Sequence, residues 1–142
     1  MTAKNKVAIY WRFSTDEKDQ VNNSADGQLE ACRQHTLKND WIEVWCGGDP
    51  STSGDAYKPK LEELKELVNE GLHIDYLLVN DFSRLTRKDA LEFQGDVSWI
   101  RDAGAKLALV KNNNIVDLNN GIDLSHLQME VFFNNKYLTE IS

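Results

Sequence analysis

Five arginines occur among the 142 residues: Arg12, Arg33, Arg84, Arg87 and Arg101. Three of them fall in two short polar stretches, YWRFST and NDFSRLTR, each following an apolar run. Arginine stays charged at any working pH and offers a planar fork of donors that matches phosphate oxygens. Gathered at one edge of a fold, Arg12, Arg84 and Arg87 would make an anion site suited to a phosphate. Ser14 sits two residues beyond Arg12. A serine in a turn is ordinarily a turn or cap residue. Beside guanidinium groups it has a second use, as an oxygen nucleophile toward phosphorus. Such attack depends on positioning and on stabilising the charge that develops in the transition state, to which each guanidinium contributes roughly 3 kcal/mol.

Other chemistries fit less well. A Ser-His-Asp triad needs a histidine near Ser14, yet His35 lies late in a helical stretch, His73 precedes a strand at its far end, and His126 lies near the C-terminus. Neither G-x-x-x-x-G-K-[ST] nor G-x-G-x-x-G occurs, which argues against a P-loop or a dinucleotide site. Asp16, Asp49 and Asp81 could converge on Mg²⁺ in a metal-dependent phosphoryl-transfer or receiver-type domain. That second reading leaves the arginines unexplained. A third is a module without enzymatic activity that associates through its last helix.

The elements that must position these residues alternate strand and helix. Val7 to Trp11 (VAIYW) reads as a buried strand, and Ser24 can cap a helix to about Asn39, with Leu29, Cys32, the Arg33 stem and Thr36 inward. Trp41 to Trp45 alternates as a strand does, and the Gly-, Ser- and Asp-rich run GGDPSTSGDAYKP reads as a long loop. Pro59 can start a helix whose apolar stripe is Leu61, Leu64, Leu67 and Val68 and which Gly71 ends. Asp75 to Val79 and Lys106 to Val110 read as strands flanking a helix from about Lys88 to Ala103, with a short edge strand at Ile115 to Leu118. The expectation is an α/β fold: a mostly parallel sheet of four to five strands, helices on both faces, and ligands at the carboxyl ends of the strands. From Asp123 a last helix carries apolar residues on several faces, among them Leu124, Leu127, Val131, Phe132, Phe133, Leu138 and Ile141. One face can dock on the domain; the other is expected to meet a second subunit.

Composition bounds the reading. The chain is 41% hydrophobic and 27% charged, as one globular domain is, and no apolar run reaches the length that spans a bilayer. It has no secretory leader, so a cytoplasmic location is expected, and Cys32 and Cys46 read as reduced core residues. With 16 basic against 23 acidic residues the net charge is −7. A nucleic-acid binder ordinarily carries a basic face, so any such partner would need a basic region elsewhere.

Four motifs then stand in register: Y-W-R-F-S-T at Tyr10 to Thr15, S-x-x-x-Q at Ser24 to Gln28, D-x-x-x-S-G at Asp49 to Gly54, and S-R-L-T-R at Ser83 to Arg87. Together they resemble the serine recombinase (resolvase/invertase) catalytic domain. The ending FFNNKYLTEIS and the wide gap between Ser14 and Gln28 look more like the large serine integrases and transposases. The resemblance implies a resolvase-like fold, with residues 1–122 as the catalytic core, 123–142 as the start of a long dimerisation and linker helix, and a DNA-binding region beyond 142. It implies that Ser14 attacks the scissile DNA phosphate while Arg12, Arg84 and Arg87 bind it, without metal or other cofactor. Gln28, Ser53 and Asp49 match supporting positions. Ser83 stands where the family commonly has an acid, with Asp81 two residues earlier, and Lys58 stands where a further arginine is usual. The implied partners are DNA, through a basic region outside these residues, and further subunits, dimer to tetramer, in a protein of bacterial, phage or mobile-element origin.

Overall fold

The computed structural model of the chain describes residues 4–14, 25–51, 59–80, 98–111 and 113–120. In chain order these form β1 (Lys6–Ser14), α1 (Ala25–Lys38), β2 (Ile42–Ser51), α2 (Pro59–Asn69), β3 (Tyr76–Val79), β4 (Lys106–Leu109) and β5 (Asn114–Val116). Residues 98–102 are also helical. The strands make one sheet of order β2-β1-β3-β4-β5. Its first three pairings are parallel and the last, β4 with β5, is antiparallel. The expected mostly parallel α/β sheet is therefore present, with β1 beside β3.

Strand alternation divides the core into two layers. Val7, Ile9, Leu78 and Ala108 face Cys32 of α1, with Trp41 and part of Leu29 against them. Ala8, Tyr10, Leu77, Val79, Leu107 and Leu109 face Leu61 and Leu64 of α2 and Ile100. Burying each of these leucines contributes about 2 kcal/mol. The helices close alike. Asp40 (φ 59), Gly71 (φ 121) and Gly104 (φ 78) adopt left-handed backbone just past a helix. The next amide in each case reaches back five residues: Trp41 N to Thr36 O, Leu72 N to Leu67 O and Ala105 N to Ile100 O. Gly71 thus ends α2 where the sequence indicates, while Asp40 fills a position usually left to glycine.

The structure departs from the sequence reading in four places. β1 does not stop at Trp11 but continues to Ser14, and β2 continues to Ser51. Arg12 and Ser14 therefore lie on a strand rather than in a loop after it, and so do the first residues of the Gly-rich run. The cause is continuous pairing from Ala8↔Trp45 to Ser14↔Ser51. Pro50 is tolerated because β2 is the sheet edge. The last strand starts one residue earlier than expected and ends at Val116. Arg33 and Cys46 are exposed, not inward. The Arg33 guanidinium pairs with Glu43 at 2.9 Å and lies 3.8 Å from the Cys46 sulfur. Ser24, residues 88–97 of the expected third helix and everything from 121 onward lie outside the described residues.

One irregularity has wide consequences. Between Val7↔Glu43 and Ala8↔Trp45 the register shifts, leaving Val44 as an extra residue on β2. Before the shift, Glu43 lies on the α1 side, where it meets Arg33. After it, Val44 and Trp45 both pack against the α2-side core. The parity of every later β2 residue is inverted. Gly48 comes to lie on the α1 side under Trp11, and Asp49 comes to lie on the α2 side.

Candidate active site

The carboxyl end of β1 is built by residues from both layers. Arg12 pairs with Asp49 and Ser14 with Ser51 across the parallel ladder. Arg12 is 8% exposed although it carries a charge. Pairing of β1 with β3 runs only from Val7 to Ile9. Beyond that point β1 stays paired with β2, and Gln28 of α1, 2% exposed, adds a donor from Nε2 to the Arg12 carbonyl at 2.5 Å. An amide side chain thus fixes the backbone that carries Arg12.

Asp49 is completely buried. Its Oδ2 accepts from the Tyr10 hydroxyl at 2.8 Å and from Leu61 N at 3.1 Å, and its Oδ1 accepts from Lys60 N at 2.8 Å. A helix leaves its first amides without intrahelical acceptors, and a carboxylate there is favoured by the helix dipole. The residue before Pro59 in sequence is Lys58, whose side chain carries no hydrogen-bond acceptor. The acceptor comes instead from the neighbouring strand.

Of the residues singled out in the sequence, the structure brings Arg12, Gln28 and Asp49 together around the end of β1, beside the backbone of Ser14. Arg84, Arg87, Asp81, Ser83, Ser53, Lys58 and Asp16 lie outside the described residues. The sheet order puts β3 directly beside β1, and the segment carrying Arg84 and Arg87 follows β3 in sequence. Of the three carboxylates of the metal reading, only Asp49 is among the described residues. Both of its oxygens accept hydrogen bonds, from three donors in all. Tyr10 is the residue that sequence reasoning undervalued. A fully buried tyrosine in an aliphatic strand usually signals a polar partner for its hydroxyl.

An arginine and a serine on the last residues of an inner strand, at the carboxyl edge of a mostly parallel sheet, place this chain in the class of α/β domains. Comparison with known proteins makes it specific. Residues 7–135 match the family described as "Resolvase, N terminal domain". The chain belongs to that family. A Bacillus subtilis (strain 168) protein bearing the name "Putative DNA recombinase" is 35% identical over 83 residues, which are 58% of this chain and 16% of that protein. The chain thus spans a small part of the length of that relative.

Solved structures share the fold. The N-terminal catalytic domain of TP901-1 integrase aligns over 97% of this chain and 99% of its own, at TM-score 0.69 and 19% identity. A resolvase family site-specific recombinase from Streptococcus pneumoniae aligns over 96% of this chain and 91% of its own, at 0.72 and 20%. The C-terminal catalytic domain of ISC1926 TnpA, an IS607-like serine recombinase, aligns over 75% of this chain and 70% of its own, at 0.58 and 24%. Among the described residues no helix is long and apolar enough to cross a membrane.

Proposed function

We propose that this chain is the catalytic part of a site-specific DNA recombinase in which Ser14 is the nucleophile. The observation that carries the reading is the location of Arg12 and Ser14 on the last three residues of β1, an inner strand adjoining β3. In the proposed step the Ser14 Oγ–phosphorus bond forms and the phosphorus–O3′ bond breaks. The serine proton is lost and the departing 3′-oxygen gains one. The products are a 5′-phosphoserine link and a 3′-hydroxyl. Arg12, Arg84 and Arg87 hold the phosphate and stabilise its transition state. Because the covalent link conserves the ester, rejoining is the reverse reaction at an exchanged end, and the scheme calls for neither metal nor nucleotide.

Gln28, Asp49, Ser53, Lys58, Asp81 and Ser83 form the supporting set of this proposal, the first two through the contacts described above. Residues 1–122 act as the core and 123–142 as a helix for subunit contact. The net charge of −7 leaves DNA affinity to a basic region outside this sequence. In the full protein, dimers assemble to tetramers for strand exchange.

The test uses the full-length recombinase and its Ser14→Ala variant on duplexes covering both boundaries of the genomic element that carries the gene, in excess EDTA. A denaturation-resistant protein–DNA adduct on the 5′ end, mapping to Ser14 and lost in Ser14→Ala, is expected. Cleavage that appears only with added Mg²⁺ and survives Ser14→Ala would refute the proposal.

A further inference from the structure

We propose that Lys111 is a further phosphate-contacting residue, which holds the DNA backbone beside the reacting phosphate; this role rests on the function proposed above. A backbone that brings its scissile phosphate to the end of β1 runs along the carboxyl edge of the sheet, and Lys111 stands at that edge. β1, β3 and β4 are parallel, with Ile9, Leu78 and Ala108 in one row. Arg12 and Lys111 each lie three residues beyond that row, Arg12 on β1 and Lys111 just past the end of β4. β1 and β4 are two strand spacings apart, about 10 Å. One strand of DNA carries a phosphate for each ~3.4 Å of helix axis, so a backbone held at Arg12 presents further phosphates to Lys111.

The backbone of Lys111 is fixed and its charge is not engaged. The Val110 and Lys111 amides donate to the Val79 and Asn80 carbonyls at 3.0 and 2.8 Å, and the Asn113 amide closes a turn onto the Val110 carbonyl at 3.1 Å. Asn113 adopts left-handed backbone there (φ 48), which asparagine tolerates. Lys111 is exposed and makes no ion pair among the described residues. Lys60, at the start of α2, is by contrast 3.7 Å from the Glu63 carboxylate. Competing anions are also scarce in the local sequence. In a chain with 23 acidic residues, the run 103–116 holds Lys106 and Lys111 and no acid. Three asparagines follow Lys111 instead, a side chain that donates to phosphate oxygens without adding charge.

Lys106 supplies the control. It too is exposed and makes no ion pair among the described residues, but it is the first residue of β4, at the amino end of the sheet. Removing either lysine changes the net charge by the same amount. Only Lys111 lies at the edge that carries Arg12 and Ser14.

The experiment measures how tightly the full-length recombinase, silenced for cleavage by Ser14→Ala, binds the element-boundary duplexes from about 50 to 200 mM KCl. In Lys111→Gln the slope of log affinity against log salt should be shallower by about 0.9 per protomer bound, the signature of one lost phosphate contact. Over that range the affinity of the protein with Lys111 should therefore fall about three- to fourfold more than that of Lys111→Gln. Lys111→Arg keeps the charge and should keep the slope, and Lys106→Gln should leave it unchanged. An unchanged slope in Lys111→Gln, or an equal change in Lys106→Gln, would overturn the inference. An adduct that persists in Ser14→Ala would instead refute the proposed function and leave the slope result standing, so the two failures are distinguishable.

Discussion

Replacing Gly48 by alanine sets two effects of opposite sign against each other. Glycine in a strand loses more conformational freedom on folding than alanine does, so by entropy alone the substitution should stabilise by about 0.5–1 kcal/mol. Packing says otherwise. A β-carbon at Gly48 would lie 2.0 Å from Trp11 Nε1, 2.2 Å from Cε2 and 2.5 Å from Cδ1. These atoms belong to the middle of the indole, not to its far tip, and ordinary carbon contacts are about 3.5–4.0 Å. The ring must retreat by roughly 1.5 Å, and it packs against the layer of Val7, Ile9, Cys32 and Trp41. Overpacking of this kind costs about 1–3 kcal/mol, so after the entropic gain the net effect should be a loss of about 1–2 kcal/mol. Urea unfolding should show a lower midpoint at unchanged slope.

The decisive comparison is with Trp11→Leu, which opens the space. In that background Gly48→Ala should be neutral or slightly stabilising, a coupling of about 2 kcal/mol. If Gly48→Ala costs nothing by itself, or costs the same with and without the indole, the packing argument is wrong. Arg12 adjoins Trp11, so adduct formation should fall in Gly48→Ala and recover in the double variant.

Other predictions follow from the same geometry. Asp49→Ala leaves three donors around a buried position and should cost about 3–5 kcal/mol in urea unfolding, whereas Asp49→Asn, whose single amide oxygen keeps one of the two acceptor positions, should cost less, about 1–2 kcal/mol. A loss under about 1 kcal/mol for the alanine variant would contradict the cap. Gln28→Ala removes the side-chain donor to the Arg12 carbonyl and should destabilise by about 1–3 kcal/mol, with a larger proportional effect on adduct formation than the distant Leu37→Ala, whose side chain is 71% exposed. Burial, with a smaller contribution from Glu43, pushes the Cys32 thiol from its ordinary 9.0 up to about 12. Its neutral form is favoured in the folded state, so the stability it contributes is intact below pH 9 and is lost as the pH rises from 9 toward 12. Relative to Cys32→Ala, wild type should therefore lose up to about 1.4 kcal/mol more per pH unit across that window, and parallel pH curves for the two proteins would rule this out. Thiol labelling at pH 8 should modify exposed Cys46 well before Cys32.

Much of this protein is written in its local chemistry. Apolar runs of four to five residues separated by helical stripes dictate an alternating α/β chain, and alternation of that length dictates a parallel sheet. Leu61 and Leu64 point inward because their spacing leaves them on one face, and Gly71 ends α2 because a left-handed residue is cheapest there without a β-carbon. Arg12, two residues before Ser14, and Arg84 and Arg87 in the stretch after β3 point in sequence to phosphate chemistry because no other side chain combines permanent charge with a fork of donors.

Tertiary structure decided the rest. Nothing in WIEVWCGGDPS announces that Val44 is an extra residue against β1, because a register shift depends on the partner strand and not on the strand itself. Without that shift Asp49 would fall on the α1 side, away from the first amides of α2. With it, the carboxylate lies under the first turn of α2 and within reach of the Tyr10 hydroxyl. The Gly-rich run reads as a loop by composition, yet its first residues are strand, since pairing with β1 and the indoles of Trp11 and Trp45 lying over Gly48 and Gly47 need backbones without β-carbons there. Residue types determine which chemistry is available; the parity of one strand, set by its neighbour, determines which side chains meet to support it.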